Sequence, residues 1–204
     1  MNGQDLNKSI LAVGGSPRKR GNTDLLIELI AAGAAKYGIA TEAVHLRDVE
    51  FSSCVGCERC RLNGVCARFD DDMTALYQKI IASRGLVLVS PVYNYNMTAW
   101  MKAFIDRLYC FYDFDEPRPG GWSSRLANQG RKAIIAAVGE QPGPEDAALT
   151  LAAMGRPLEA LGYDIIAELP VTGVFSKGKV MEAPGIVAGA ESLGRKLAEA
   201  IKGD

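Results

Sequence analysis

Short runs of β-branched and apolar residues alternate with longer segments of helical period along this chain of 204 residues. That alternation is typical of βα units, in which helices cover both faces of a parallel sheet. The pattern predicts strands over residues 9–13, 40–46, 85–90, 131–138 and 163–169. It predicts helices over residues 23–36, 70–83, 98–110, 145–161 and 184–201. The chain is therefore predicted to fold as an α/β protein.

The order of the strands follows from the connectivity of the chain. Because crossovers between parallel strands are right-handed, five successive units most economically give an open sheet of order 2-1-3-4-5 with helices on both faces. We expect a single domain over residues 1–204, since 48% of the residues are hydrophobic and supply one large core. In such a sheet, ligands bind at the carboxyl ends of the first and third strands, so a site is expected there.

Charge and hydropathy argue against several classes of partner. The chain has 23 basic and 24 acidic residues, which gives a formal net charge of −1 and no support for binding nucleic acid or an anionic membrane. No segment is continuously apolar over the roughly 18 residues that a membrane span needs, and no secretory leader is recognisable. We therefore expect a cytoplasmic protein without a membrane partner.

The loop after the first predicted strand has the sequence GGSPRKRGNT, residues 14–23, and runs directly into a helix. A helix start offers unpaired N–H groups and the positive end of the helix dipole, so Ser16, Asn22 and Thr23 are candidate donors to a phosphate. The loop lacks the lysine of a P-loop and the glycine spacing of a dinucleotide-binding fingerprint. The alternative is that Asn22 or Thr23 only caps the helix.

The loop after the third predicted strand, SPVYNYNM over residues 90–97, is expected at the same edge of the sheet. A proline-initiated loop with aromatic side chains provides a flat apolar surface together with backbone groups, and a planar ligand with a polar edge needs both. The alternative is an ordinary turn with exposed tyrosines. A third loop, residues 139–143 after the fourth strand, is expected at this edge too.

Four of the five cysteines, Cys54, Cys57, Cys60 and Cys66, lie in a long irregular segment over residues 51–69. Their spacing, C-x2-C-x2-C-x5-C, places four thiolates on one loop and matches the number of ligands of a [4Fe–4S] cluster. Structural zinc usually takes two C-x2-C pairs separated by a longer insert, so iron–sulfur is favoured over zinc. The alternatives are reduced thiols without a metal, or disulfides formed on oxidation.

Three further features carry no site prediction. Cys110 lies at the end of a predicted amphipathic helix and is expected to be a small buried hydrophobe. His45, the single histidine, is expected to be structural because no catalytic constellation can be built around it. The Pro-, Gly- and Ser-rich segment over residues 113–129 is longer than an ordinary connector, and no role is assigned to it.

The loop sequences GGSPRKRGNT and SPVYNYNMTAWMKAFIDR together resemble the FMN-binding, NADPH-dependent reductase branch of the flavodoxin-like superfamily. The resemblance spans about residues 9–140, and the cysteines between the two loops resemble those of its iron-sulfur flavoprotein members. The fold that this implies is a flavodoxin-like three-layer sandwich. The metal ligands that it implies are Cys54, Cys57, Cys60 and Cys66.

The resemblance also implies a set of FMN contacts. The residues expected to hold the FMN phosphate are Ser16, Arg18, Asn22 and Thr23. The residues expected to contact the ribityl chain and the isoalloxazine ring are Pro91, Val92, Tyr93 and Asn94. Gly139 and Glu140 are expected to border the ring, although Glu140 and Gln141 replace the small residues that the family usually has there.

The implied function is an FMN-dependent oxidoreductase that takes electrons from NAD(P)H or a ferredoxin-like donor. The expected acceptor is a small molecule such as a quinone, an oxygen species or free flavin, and a [4Fe–4S] cluster is the expected second cofactor. No catalytic side chain is assigned, since the flavin performs the chemistry. A homodimer or homotetramer is expected by resemblance. The alternative is a non-enzymatic flavodoxin-type electron carrier or a cysteine-based redox sensor.

Overall fold

The computed structural model describes residues 7–203, in which seven strands and six helices form. The strands are β1 (Asn7–Gly14), β2 (Ala40–His45), β3 (Ser83–Pro91), β4 (Tyr112–Phe114), β5 (Trp122–Ser124), β6 (Lys132–Val138) and β7 (Asp164–Val171). The helices are α1 (Asn22–Ala35), α2 (Cys60–Asn63), α3 (Met73–Ala82), α4 (Ala99–Arg107), α5 (Glu145–Leu161) and α6 (Pro184–Lys202).

Five of the strands form a parallel sheet of order β2-β1-β3-β6-β7. When the two short strands β4 and β5 are left out, this is the predicted order 2-1-3-4-5. β3 lies in the middle of the sheet because residues 86–89 are apolar throughout, and all four are almost completely buried. The predicted α/β architecture is confirmed.

Side chains along β1 alternate between the two faces of the sheet. Leu11 and Val13 belong to the core formed with α3, α4 and α5, whereas Ile10 and Ala12 belong to the core formed with α1 and α6. Helices therefore cover both faces, as predicted. This packing places the first turn of α1 and the first turn of α4 at the carboxyl edge of the sheet, where the loops that follow β1 and β3 end.

The segment predicted to be irregular over residues 113–129 contains a small antiparallel hairpin. Tyr112–Phe114 pairs with Trp122–Ser124, and the ring of Tyr112 packs edge-on against that of Trp122. Tyr109 and Phe114 stack beside them with ring centroids 5.4 Å apart. Strands of three residues are too short to give a hydrophobic alternation, so the sequence pattern did not indicate them.

Two helix ends differ from the prediction. The helix predicted over residues 70–83 begins at Met73, because the carboxylate of Asp71 accepts hydrogen bonds from the N–H groups of Met73 and Ser52 instead of lying within the first turn. The helix predicted over residues 98–110 ends at Arg107 and continues as a 3-10 turn. Cys110 lies in that turn and is 2% exposed, as expected of a small hydrophobe. Between residues 7 and 203, no helix has the length and apolarity needed to cross a membrane.

Candidate functional site

A cavity of about 370 Å³ opens at the carboxyl edge of the sheet, between the loops that follow β1, β3, β6 and β7. Its walls are formed by Ser16, Arg18, Gly21, Asn22, Thr23, Pro91, Val92, Tyr93, Asn94, Val138, Glu140, Val174, Phe175 and Lys177. Nine of the ten residues predicted to contact FMN are among them, and the tenth, Gly139, lies between two that are. The structure therefore brings the predicted loops together around one cavity.

Residues 14–23, called the phosphate loop below, lead from β1 into α1. The N-cap of α1 is Gly21, which has no side chain, so neither Asn22 nor Thr23 is the capping residue. Ser16 and Thr23 line the cavity and are 4% and 2% exposed. The Ser16 Oγ accepts a hydrogen bond from the N–H of Arg18 at 3.1 Å, which leaves its own proton to donate. Two hydroxyls and the first-turn N–H groups are thus donors at this end of the cavity.

A buried carboxylate, Asp24, lies behind the phosphate loop in the first turn of α1. Arg47 donates to its two oxygens at 2.9 and 2.8 Å and to the Ser16 carbonyl at 3.2 Å. The N–H of Arg20 donates to Asp24 at 2.7 Å, and His45 Nδ1 lies 3.3 Å from the same carboxylate. The negative charge of Asp24 is therefore compensated by Arg47, which limits its repulsion of an anion bound at the helix start. His45 belongs to this structural group.

The phosphate loop is joined directly to the start of α4. Thr98, the N-cap of α4, donates through Oγ1 to the Gly15 carbonyl at 2.8 Å, and its own N–H donates to Ser90 Oγ at 3.1 Å. A Cβ on Gly15 would lie 3.0 Å from Thr98 Oγ1 and 3.1 Å from Met101 Cβ. Because those contacts are tighter than a side chain normally makes, glycine at this position allows the two loops to meet.

Residues 93–96 form a tight hairpin turn, called the tyrosine turn below. The N–H of Tyr93 donates to the Asn96 carbonyl at 2.7 Å, and the N–H of Asn96 donates back at 3.0 Å. The two central residues, Asn94 and Tyr95, have φ angles of 47° and 64°, which is the left-handed geometry of a type I′ turn. Tyr93 lines the cavity and is 45% exposed, so its ring is available as a flat contact surface.

The loop over residues 172–178, which follows β7, forms a wall that was not predicted from the sequence. Backbone hydrogen bonds attach it to the loop after β6: the N–H of Val174 donates to the Gly139 carbonyl at 3.1 Å, and the N–H of Gly173 donates to the Gln141 carbonyl at 3.0 Å. The sequence of this loop matches no motif. Its place could have been predicted from its position after a parallel strand, because all strands of a parallel sheet end at one edge.

Two of the predicted phosphate ligands contact this loop. Asn22 Nδ2 donates to the Ser176 carbonyl at 3.0 Å, and Asn22 Oδ1 accepts from the N–H of Val180 at 3.4 Å. Arg18 donates to the Phe175 carbonyl at 3.2 Å and places its guanidinium 4.9 Å from the centre of the Phe175 ring. Arg18 and Asn22 thus connect the phosphate loop to the loop after β7.

The residues around the cavity fit FMN in their chemistry. The buried hydroxyls of Ser16 and Thr23 and the uncapped start of α1 suit a phosphomonoester. Val92 and Tyr93 supply apolar and aromatic surface for a planar ring. Glu140 supplies the carboxylate side chain among the residues that line the cavity. The candidate phosphate donors and the candidate ring contacts therefore line one cavity.

The cysteines predicted as metal ligands surround a second, smaller cavity, beside the end of α4. Cys54, Cys57, Cys60 and Cys66 line it together with Cys110, and all five are free thiols. Cys54 and Cys57 are exposed, whereas Cys60 and Cys66 are half-buried. Burial raises the pKa of Cys110 to about 12. Burial is also the largest cause of the raised pKa of Cys60, and the neighbouring thiols raise this pKa further.

A buried ion pair holds the start of the cysteine loop, residues 51–69. Arg107 donates to both oxygens of Asp71 at 2.7 and 2.9 Å and to the Ser52 carbonyl at 2.7 Å. The N–H of Ser52 donates to Asp71 at 3.2 Å, so both backbone groups of Ser52 are fixed. Burial disfavours the ionised form of Asp71, but the hydrogen bonds from Arg107 and the backbone outweigh it and lower the pKa of Asp71. Arg107 also donates to the Tyr77 hydroxyl at 3.2 Å.

An exposed group of charges ties the cysteine loop to the β4–β5 hairpin. Arg118 donates to Glu58 at 2.8 Å, and Arg61 pairs with Glu116 at 2.5 Å. The Tyr109 hydroxyl donates to Glu58 at 3.2 Å. The hydrogen bond from Arg118 is the largest cause of the lowered pKa of Glu58. These pairs link two segments that are far apart in the sequence.

The four cysteines fit a [4Fe–4S] cluster in their donor chemistry, since four thiol side chains line one cavity and each iron of such a cluster takes one thiolate. Over the described range 7–203, however, no group of three or more His, Cys, Asp or Glu side chains is close enough together to hold a metal ion. The two cavities lie at opposite ends of α4, whose nine residues span about 14 Å at the helical rise of 1.5 Å per residue.

The comparisons with known proteins agree with this geometry. Residues 9–160 match the sequence profile of the NADPH-dependent FMN reductase family. An iron-sulfur flavoprotein of Archaeoglobus fulgidus is 34% identical over 195 residues, which cover 92% of this chain and 78% of the relative. An iron-sulfur flavoprotein of Methanocaldococcus jannaschii is 28% identical over 200 residues, which cover 95% of this chain and 97% of the relative.

A solved structure supports the fold independently. The NAD(P)H:quinone oxidoreductase from Methanothermobacter marburgensis superposes with a TM-score of 0.73 at 16% identity, covering 93% of this chain and 98% of that chain. At that level of identity the likeness shows the flavodoxin-like fold alone. The family match, by contrast, covers most of the chain and three of the four loops around the cavity. The chain therefore belongs to the NADPH-dependent FMN reductase family, in its iron-sulfur flavoprotein branch, and is an FMN-dependent oxidoreductase.

Proposed function

We propose that FMN binds in the cavity at the sheet edge and that the protein uses it to carry electrons from NAD(P)H or a ferredoxin-like donor to a small acceptor. A quinone, an oxygen species or free flavin is the acceptor class that the family membership favours. The observation that carries the proposal is the meeting of the phosphate loop and the tyrosine turn around one cavity. When bound, FMN supplies the redox chemistry itself.

The protein's own residues bind and orient. The hydroxyls of Ser16 and Thr23 donate to the phosphate, and Arg18 and Asn22 complete this end by holding the neighbouring loop against it. At the other end, the residues proposed to contact the ribityl chain and the ring are Pro91, Val92, Tyr93, Asn94, Gly139 and Glu140. No side chain is proposed as a nucleophile or a general acid.

The flavin site is tested by Thr23→Val, which keeps the shape of the side chain and removes its donor. We expect less FMN to be retained through purification, because the phosphate loses a hydrogen bond from a buried hydroxyl. Thr150→Val is the matched control, since the buried Thr150 hydroxyl has no hydrogen-bond partner among residues 7–203 and lies in α5, outside the cavity. Equal flavin content in Thr23→Val and the parent protein, measured by absorption, would contradict the assignment of Thr23.

We further propose that Cys54, Cys57, Cys60 and Cys66 ligate a [4Fe–4S] cluster that serves as a second redox centre. The support is the common cavity that the four thiols line and the family branch to which the chain belongs. The Cys57→Ser variant is expected to contain less iron and acid-labile sulfide after anaerobic isolation. Cys110→Ala is the control because it removes a buried thiol that is not a proposed ligand. Equal iron in Cys57→Ser and the parent protein would remove Cys57 from the ligand set.

The alternative function is a thiol-based redox sensor, which the exposure of Cys54 and Cys57 favours. Anaerobic purification followed by flavin, iron and zinc analysis separates the possibilities. Flavin with iron supports the proposed relay, flavin alone supports a simple reductase, and neither supports a sensor. A homodimer or homotetramer is proposed from the family and is tested by light scattering of the purified protein.

A further inference from the structure

The wall formed by residues 172–178 lies outside the part of the chain that matches the family profile, residues 9–160. It nevertheless supplies Val174, Phe175 and Lys177 to the cavity. The family match therefore gives no role to this wall, and its contribution has to be argued from the contacts of this chain. Lys177 is its one charged residue that lines the cavity.

Lys177 is held close to the phosphate loop by its neighbours in the chain. The carbonyl of Ser176 accepts a hydrogen bond from Asn22, the first residue of α1, and the N–H of Val180 donates to the same side chain. Phe175, on the other side, lies under the guanidinium of Arg18. The segment that contains Lys177 is therefore anchored on both sides to the loop that is proposed to hold the phosphate.

Lys19 and Arg47, two other cations near the phosphate loop, pair with carboxylates, and the exposed Arg20 does not line the cavity. Lys19 pairs with Asp48 at 3.0 Å, and Arg47 pairs with Asp24 at 2.8 Å. Arg18 donates to a backbone carbonyl of the same wall. Lys177, by contrast, makes no hydrogen bond or ion pair with any residue in the described range 7–203 and is exposed at the cavity. Its ammonium is thus available to a ligand.

We propose that Lys177 binds the terminal phosphate of FMN and makes the cavity select phosphorylated flavin over riboflavin. The reason is chemical: a phosphomonoester is close to dianionic at neutral pH, and an ammonium group beside it forms charge-assisted hydrogen bonds that riboflavin cannot form. This inference rests on the proposed function, since it requires FMN in the same cavity. The proposed phosphate contact comes from a residue that lies outside the part of the chain that matches the family profile.

The test is a titration of the flavin-free protein with FMN and with riboflavin. Binding is monitored through the quenching of flavin fluorescence. In Lys177→Gln, the affinity for FMN is expected to fall about tenfold, which is the loss of one charge-assisted hydrogen bond. The affinity for riboflavin is expected to stay unchanged. Lys177→Arg is expected to restore most of the FMN affinity. Lys179→Gln is the matched control, since Lys179 pairs with Glu182 and does not line the cavity.

Salt gives a second readout that a purely structural role would not change. FMN binding by the parent protein is expected to weaken as ionic strength rises, and this dependence is expected to be smaller in Lys177→Gln. The inference is overturned if Lys177→Gln binds FMN as tightly as the parent, or if its affinities for FMN and riboflavin fall equally. If the parent protein binds neither flavin in the cavity, the proposed function fails and this inference fails with it.

Discussion

The flavin cavity and the cysteine loop are held in place by different kinds of interaction. The cavity is built from backbone hydrogen bonds, buried hydroxyls and a close approach at Gly15, all at the carboxyl edge of the parallel sheet. The cysteine loop is held by the Arg107–Asp71 pair and by exposed charges that reach the β4–β5 hairpin. We infer that the two regions fail independently, so that a change at one leaves the cofactor of the other in place.

The largest effect is expected from Arg107→Met, which leaves Asp71 partly buried without its counter-charge. Breaking such a pair costs about 3 kcal/mol of stability, and the start of the cysteine loop loses its anchor at Ser52. The variant is expected to lose most of its iron and to keep its FMN, as measured by iron and flavin per chain. Arg107→Lys, which keeps the charge, is expected to retain more iron.

Arg156→Met is the control for this prediction, because Arg156 lies on the surface of α5 and is 85% exposed. Its iron and flavin contents are expected to match those of the parent protein. The proposed independence of the two regions would be wrong if FMN and iron fell together in Arg107→Met while the protein stayed folded by circular dichroism.

Gly15→Ala is expected to alter the flavin cavity and to leave the cysteine loop unchanged. The new Cβ would lie 3.0 Å from Thr98 Oγ1, so the phosphate loop and the start of α4 must move apart at a cost of about 1–3 kcal/mol. We expect FMN affinity to fall roughly tenfold, the equivalent of about 1.4 kcal/mol, with iron retained. Gly189→Ala in α6 is the control, since a Cβ there meets nothing within 4 Å. An unchanged FMN affinity in Gly15→Ala would show that the close approach is not needed.

Acid is expected to act on the cysteine loop through Asp71. The pKa of Asp71 in the folded protein lies below its ordinary value of 3.8, so its pairing stabilises the fold fully above that value and is lost as the pH falls through the lowered pKa. Stability measured by urea unfolding should therefore drop below about pH 4 in the parent protein. Asp71→Asn should show a smaller drop, and an equal drop would mean that Asp71 does not contribute.

The smallest effect is expected from Arg118→Gln. Arg118 and Glu58 are exposed, and pairs of this kind contribute little because water and salt screen them. Iron and FMN contents are expected to stay at the level of the parent protein, whereas hydrogen exchange in the β4–β5 hairpin is expected to quicken. An iron loss as large as that of Arg107→Met would show that the exposed charges hold the loop as strongly as the buried pair does.

The sequence predicted those features that depend on local pattern. The five parallel strands and their order follow from the alternation of strand and helix signals, and the nine proposed FMN contacts that line the cavity come from three loops at known positions of the sheet. The cysteine spacing places four thiols on one loop, and all four line one cavity. In each case the relevant residues are close together in the chain or lie at strand ends that the fold must bring together.

The features that were not predicted depend on contacts between distant segments. The Arg107–Asp71 pair joins residues 36 positions apart, and Asn22 contacts a loop 154 positions away. The loop over residues 172–178 carries no motif, so its place in the cavity becomes visible only when the strands are assembled. The short hairpin is held by aromatic packing and not by strand propensity.

The most direct test of the central claim is a crystal structure of the protein grown with FMN. We expect the phosphate within hydrogen-bond distance of the Ser16 and Thr23 hydroxyls, and the isoalloxazine ring against the tyrosine turn at Tyr93. FMN bound elsewhere on the molecule, or a cavity closed by its own side chains in the presence of excess FMN, would contradict the claim that these two loops form the flavin site.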